Sequence, residues 1–331
     1  MIGGGAWGTT VASLLASKVD AVLWAREAEV VEAINERHEN PVFLPGLPLA
    51  PRLRASPELA GTLAGADVVI LAVPSRHFRG VLERAAPEIG AHLPVLSLTK
   101  GIEEGSLLRM SQVVTDVLAG HAVDRIGVVS GPNIAREVAA GQPAATVVAI
   151  PDAETGRELQ KLLMAPKLRV YTNPDVVGCE LGGAVKNVIA LAAGMAAGLG
   201  FGQNTLAALV TRGLAELTRL GVAVGGQPLT FLGLAGIGDL TVTCHSSDSR
   251  NRHVGEELGR GRALADIVAS MHSVAEGVQS CEPVVALGAR FGVELPICEK
   301  VGAVLSGRLR VQDAVDQLLL REAKPELRGI G

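Results

Sequence analysis

The sequence predicts two domains of different class: an α/β domain built on a parallel sheet over residues 1–172, and a mainly α-helical domain over residues 173–331. Three observations carry that expectation. Up to residue 172, short continuous apolar runs end in small or polar turns and are followed by helical patterns. Strands covered on both faces of a parallel sheet read this way. Near Thr172 the pattern changes and stays mainly helical to about Leu320. The chain has 331 residues, of which 48% are apolar and 19% charged, enough for two domains each with a core.

The elements follow in order. Only Met1 and Ile2 precede the first glycine-rich turn. A sheet of this kind starts on a central strand of about five residues, so the first strand is expected to be truncated and the native N-terminus to be longer. Asp20–Trp24 (DAVLW) reads as a strand and Glu27–Arg37 as a helix. Asp67–Val73 (DVVILAV) is a continuous apolar strand stopped by Pro74, and Val95–Leu98, Ile126–Ser130 and Thr146–Ile150 repeat the theme. Asn173-Pro174 is expected to open the helical domain, with Asn as N-cap and Pro at the first helical position. The apolar run Val188–Gly202 falls short of the ~20 residues a membrane span needs, and reads as a buried helix. The polar tail REAKPELRGIG is expected to fray.

Composition narrows the function. Aromatic residues are 2% of the chain and glycines number 40, so the core must rest on Ala, Val, Leu and Ile with close backbone contacts. Net charge is −4, with no basic run, which argues against nucleic-acid binding. Cys179, Cys244, Cys281 and Cys298 form no CxxC pair, and no histidine sits at zinc-ligand spacing, so no metal site is expected. They read as reduced, buried thiols of a cytoplasmic protein. The N-terminus carries no signal-peptide pattern, and no membrane insertion is expected.

Residues 3–8, GGGAWG, fit G-x-G-x-x-G with Gly3, Gly5 and Gly8. Such glycines permit a tight turn, close approach of a pyrophosphate and close helix packing, with the phosphates at a helix N-terminus. This points to a dinucleotide-binding, Rossmann-like domain. About 20 residues on, where an NAD site usually carries an acid, the strand ends in Trp24-Ala25-Arg26. An arginine suits a 2′-phosphate, so NADP(H) stands beside NAD(H) as the expected cofactor.

Further polar clusters interrupt the apolar pattern. Lys100 and the Ser130-Gly131-Pro132-Asn133 turn each follow a strand, where ligands of such sheets bind. Asp239 is a lone acid in GIGDL, and Ser249-Arg250-Asn251-Arg252 combines a hydroxyl, guanidiniums and an amide. Lys186 is a single cation in GGAVKNVIALAAG. A lysine in such company must be paired, hydrogen-bonded or shifted in pKa.

With these residues in hand, the chain resembles the bacterial-type NAD(P)-dependent glycerol-3-phosphate dehydrogenases over essentially its whole length. The stretches that carry the resemblance are IGGGAWGTT, LWAR, HENPVFLPG, DVVILAVPS, LTKG, SGPNIAREV, NPDVVGCELGGAVKNVIALAAG, ALVTRGLAEL, GLAGIGDLTVTC, SRNRHVG and EGV. It departs at the short first strand and in a shortened turn before DAVLW. The resemblance implies a C-terminal domain like that of 6-phosphogluconate dehydrogenase, and reversible reduction of dihydroxyacetone phosphate to glycerol 3-phosphate for phospholipid synthesis. It implies Lys186 as catalytic acid/base, tuned by Asp239. It places Lys100, Gly131, Asn133, Lys186, Asp239, Ser249, Arg250 and Asn251 around the substrate. Cofactor contacts map to Ala6, Trp7, Arg26, Phe43, Lys100, Ala135, Arg250, Val274 and Glu276, beside the loop glycines. It also implies a homodimer formed through the helical domain. The rival readings are a related hydroxy-acid dehydrogenase and a non-catalytic NADPH sensor; the sensor would need neither Lys186 nor Asp239.

Overall fold

The structure, a computed structural model, describes residues 1–271, 275–323 and 325–326. The chain divides into two compact units, the first made of Met1–Thr99 and Met110–Val176, the second of Lys100–Arg109 and Val177–Gly331.

The first unit carries β1 (Val22–Trp24), β2 (Glu39–Asn40), β3 (Leu44–Pro48), β4 (Arg54–Ser56), β5 (Val69–Leu71), β6 (Val95–Ser97), β7 (Ile126–Ser130), β8 (Ala144–Ala149) and β9 (Leu168–Asn173). Residue 172, the expected boundary, lies inside β9. β5 to β9 lie in chain order in one sheet, β1 pairs with β4, and β2 and β3 form a separate antiparallel pair. Ile2 closes the gap between the first two groups, bridging in parallel to Trp24 of β1 and Leu71 of β5. Its N–H donates to Ile70 O at 2.7 Å and its carbonyl accepts from Ala72 N at 2.7 Å. The Met1-Ile2 stub thus occupies the central-strand position with ladder bonds to both neighbours.

The sheet is mixed, not wholly parallel as its sequence predicts. β8 runs antiparallel to β7. Between them lies only the five-residue helix Ala135–Ala139, which turns the chain back at Gly141 (φ 74°) instead of carrying it across the sheet. The longer helix Ala153–Leu163 then supplies a crossover, and β9 is parallel to β8. Helix Ala6–Ala16 sits at the heart of the unit: Val11 and Leu15 join one apolar cluster, Ala12 and Ala16 another.

The second unit is helical and is organised by helix Val176–Gly198. Its start corrects the Asn173-Pro174 expectation. Asn173 closes β9, and its side chain accepts from Asp175 N at 2.9 Å, a turn that delays the helix by two residues past Pro174. From Gly178 to Ala196 every residue is buried. This is the one helix among the described residues long and apolar enough to cross a membrane, and 89% of its apolar window is buried. It is a core helix.

Small residues set its partner. A Cβ on Gly194 would lie 2.0 Å from Arg252 O, and one on Gly198 2.2 Å from Glu256 O. Reciprocally, a Cβ on Gly255 would lie 2.0 Å from Leu191 O, and one on Gly259 2.4 Å from Met195 O. Paired Gly-x-x-x-Gly steps on helices Val176–Gly198 and Arg250–Gly259 therefore bring backbone against backbone. Elsewhere in the unit, Glu216 lies 2% exposed on helix Gln203–Ala223. It accepts from Ile297 N at 2.7 Å and Cys298 N at 3.2 Å, in the first turn of helix Pro296–Leu305. All four cysteines are free and buried.

Candidate functional site

In the first unit the glycine loop meets the demands its spacing predicts. Gly3 adopts φ 120°, and a Cβ there would sit 2.5 Å from Ala72 O. A Cβ on Gly8 would press 2.1 Å from Gly3 O, so the helix packs directly on the loop. Gly5, the N-cap of helix Ala6–Ala16, faces open space, with nothing within 4 Å of a Cβ. An open position ahead of free helix N–H groups is an anion cradle, and these residues fit a dinucleotide pyrophosphate.

A residue not singled out from sequence holds that loop. Asn40, fully buried, donates from Nδ2 to Gly4 O and to Thr9 Oγ1, both at 2.9 Å. Its Oδ1 accepts from Phe43 N at 3.0 Å. The same carboxamide thus fixes the glycine turn and the backbone of Phe43. The polar Asn-Pro break in HENPVF was the available signal.

Arg26 follows β1 and is exposed; its guanidinium meets Glu27 Oε1 at 2.7 Å. Reading the strand end as basic passed over this adjacent acid. Trp7 Nε1 is buried and meets no acceptor among the described residues. Ala135 begins its helix, and its carbonyl accepts from Thr10 Oγ1 at 3.3 Å. Gly131, directly after β7, has φ 133°. Asn133 Nδ2 donates to Thr146 Oγ1 at 3.1 Å, while Thr146 donates onward to Ser130 O at 2.9 Å. Because the only hydroxyl proton of Thr146 is spent on Ser130, the amide nitrogen of Asn133 must face Thr146. That leaves Asn133 Oδ1 buried with no donor among the described residues.

The second unit gathers the charged residues. Lys186 sits midway along helix Val176–Gly198 and Asp239 opens helix Asp239–His245. Gly182 allows this approach: a Cβ there would lie 2.1 Å from Ala235 O, just ahead of Asp239. Asp239, 0% exposed, accepts from Lys186 Nζ through Oδ1 and from Lys100 Nζ at 2.7 Å through Oδ2. Lys186 also donates to Thr243 Oγ1 at 2.8 Å; Thr243 in turn donates to Asp239 O at 2.6 Å. Thr243 was missed from sequence, although it stands four residues after Asp239, one helical turn on the same face.

Burial drives the Lys186 pKa down to about 8; the Asp239 carboxylate opposes that shift and the Lys100 ammonium adds to it. This buried lysine is therefore both paired and shifted.

A second polar chain runs alongside. Asn251 Nδ2 donates to Asn187 Oδ1 at 3.0 Å, and Asn251 Oδ1 accepts from Gly277 N at 2.8 Å. Asn187 Nδ2 reaches Glu276 Oε2 at 3.4 Å. Burial raises the Glu276 pKa, against the pull of Arg250, Lys100 and Lys186. Ser249 caps helix Arg250–Gly259, accepting from Arg252 N at 3.2 Å, and Arg250 stands exposed at its first position. Val274 lies outside the described residues.

Residues 1–156 match the family model described as "NAD-dependent glycerol-3-phosphate dehydrogenase N-terminus", and residues 175–316 match its C-terminus counterpart. The chain belongs to the NAD-dependent glycerol-3-phosphate dehydrogenase family. Among its relatives, glycerol-3-phosphate dehydrogenase [NAD(P)+] 2 of Sphingopyxis alaskensis is 53% identical, over 96% of this chain and 95% of that protein. The enzyme of Frankia casuarinae is 53% identical, over 98% of this chain and 96% of that one. The crystal structure of glycerol-3-phosphate dehydrogenase from Coxiella burnetii matches with a TM-score of 0.91 at 36% identity, covering 97% of this chain and 98% of that one.

Proposed function

We propose that the chain catalyses reversible, NAD(P)-dependent reduction of dihydroxyacetone phosphate to glycerol 3-phosphate, with Lys186 as the acid/base. The observation that carries this reading is the buried Lys186 bonded to Asp239 and Thr243. Two of its three ammonium protons are committed there, and the third is left for a substrate oxygen. A pKa near 8 lets the same group donate or accept at neutral pH.

Gly3, Gly5, Ala6, Trp7 and Gly8 would hold the cofactor phosphates at the helix N-terminus, with Arg26, Phe43, Ala135 and Glu276 as further contacts. NAD(P)H, when bound, supplies the hydride that the carbonyl carbon accepts. As that carbon becomes tetrahedral, its oxygen gains negative charge, and Lys186 Nζ passes it a proton. Asp239 keeps the ammonium oriented and limits how far burial lowers its pKa. In the oxidative direction neutral Lys186 takes the hydroxyl proton.

Lys100 and Lys186 against one Asp239 leave a net positive charge for an anionic triose. Arg250 meets the phosphate, since an exposed guanidinium at a helix start can bind two of its oxygens. Gly131, Asn133, Ser249 and Asn251 complete the set of expected substrate residues. The same reading has a homodimer formed through the helical unit, where Leu229 and Leu232 are 77% and 65% exposed. It has a cytoplasmic enzyme whose product feeds phospholipid synthesis.

The test is to follow NADPH absorbance on adding dihydroxyacetone phosphate to the purified chain, then to repeat it with NADH. Oxidation that requires the phosphorylated triose supports the reading. A folded protein that binds NADPH yet oxidises none of it would favour the sensor alternative.

A further inference from the structure

Lys100 does not belong to the unit that precedes it in the chain. Residues Lys100–Arg109 leave the first unit after Thr99 and count with the helical unit, and the chain returns at Met110. The excursion is a closed loop. Ile102 bridges Arg109 antiparallel. Glu103 N donates to Leu108 O at 2.9 Å, and Leu107 N to Glu103 O at 3.0 Å. Its turn contains Leu107 at φ 60°, a left-handed conformation costly for leucine that persists only where surroundings enforce it.

Two ion pairs and one side chain tie this loop to the helical unit. At its start Lys100 bonds Asp239 at 2.7 Å. Next, Ile102, 2% exposed, sits in the unit's apolar core. At its end Arg109 pairs with Glu180, whose side chain is 3% exposed. Glu180 lies on helix Val176–Gly198, six residues before Lys186 and roughly 9 Å along the axis. The same rigid helix thus carries the anchor for the loop and the lysine that shares Asp239 with Lys100.

We propose that Arg109 and Glu180 are positioning residues that hold the 100–109 loop on the Lys186 helix and so fix the Lys100 ammonium against Asp239. Neither touches the reacting atoms. Because Arg109 faces Ile102 across the loop, its release frees the segment leading back to Lys100. Lys100 then swings away from Asp239. The triose loses one cation of its site, and Lys186 loses a neighbour that depresses its pKa. The inference rests on the placement of the triose at these lysines for its kinetic part, but its structural part does not.

The experiment therefore has two readouts. The first is acetylation of Lys100 and Lys186 by an amine-reactive ester at pH 8, resolved by peptide mass spectrometry, in wild type, Glu180→Gln and Arg109→Met. Arg109→Lys serves as the conservative rescue. Expected is Lys100 labelling at least five-fold faster in the first two variants, with a smaller change at Lys186, and near wild-type labelling in Arg109→Lys. Unchanged Lys100 labelling in folded Glu180→Gln, the isosteric change, overturns the proposal. The second readout is a double-mutant cycle with Lys100→Met on kcat/KM for dihydroxyacetone phosphate. Glu180→Gln is expected to raise KM in wild type and to cost less than two-fold more once Lys100 is gone. Fully additive losses would mark the pair as merely structural and overturn the proposal. A wild type inactive on the triose would refute the functional reading alone, with the labelling result still deciding the role of the pair.

Discussion

Lys186 shows how one side chain answers a question its sequence poses. Its neighbours Gly182, Gly183, Ala184 and Val185 are all buried, so the ammonium survives only through Asp239 and Thr243. Its pKa near 8 gives a signed expectation. The reductive kcat, which needs the protonated lysine, should fall as pH rises through about 8, and the oxidative rate should rise across the same window. Asp239→Asn removes the charge that keeps the proton on, so this limb should move to lower pH; a limb that stays in place would detach Asp239 from the titration. Arg250→Ala should raise KM for the triose phosphate by ten-fold or more, read from initial rates, consistent with loss of a charge-assisted pair at ~2 kcal/mol. Arg26→Ala should weaken NADPH more than NADH in equilibrium fluorescence titrations, since only NADPH carries the 2′-phosphate. Lys186, Lys100 and Asp239 stood out as polar residues interrupting apolar runs, and the family resemblance implied the roles proposed for them. Asn40 left only the Asn-Pro break in HENPVF as a signal, and Thr243 only its place one helical turn after Asp239, because what marks them is contact with other groups and their residue types are ordinary at such positions.

At the scale of elements, glycine decides how close helices come. Gly255 lies against Leu191 O with no room for a methyl group, and that contact sets helix Arg250–Gly259, with Asn251 on it, against Asn187. Gly255→Ala should lower stability by several kcal/mol in urea titration, as overpacking against rigid backbone does. It should also weaken triose binding in whatever protein still folds. Glu216 links two helices by another device. Its carboxyl, pushed up to about 7 by burial, keeps its proton where an unfolded chain has already lost it. The stability this gives is complete below the ordinary value near 4.5 and is lost as pH rises through about 7. Wild type should therefore lose roughly 3 kcal/mol from this group across that window. Glu216→Gln should flatten that slope in urea midpoints measured from pH 4.5 to 7. Strand positions were legible because a buried strand is a run of apolar residues. The antiparallel turn of β8 was not, since a buried strand reads the same in either direction and only the short Ala135–Ala139 connection decides it.

Across the whole molecule, the change of pattern near residue 172 foretold an α/β part and a helical part, and both are present. The excursion of Lys100–Arg109 into the helical unit left no trace in periodicity, because ten residues with two glycines and two acids look like any surface loop. Its consequence is functional: both lysines at Asp239 belong to one unit, while the glycine loop belongs to the other. Loosening the glycine loop should therefore weaken the cofactor without touching proton transfer. Asn40→Ala should weaken NADPH affinity about ten-fold by loosening the glycine turn and leave the pH limb in place. The central claim is that Lys186 moves the proton, and one measurement addresses it most directly: kcat for dihydroxyacetone phosphate reduction by Lys186→Ala at saturating NADPH, beside its NADPH dissociation constant. The expected result is a turnover lower by roughly a thousand-fold with cofactor affinity within two-fold of wild type. Near-normal turnover in that variant would contradict the account.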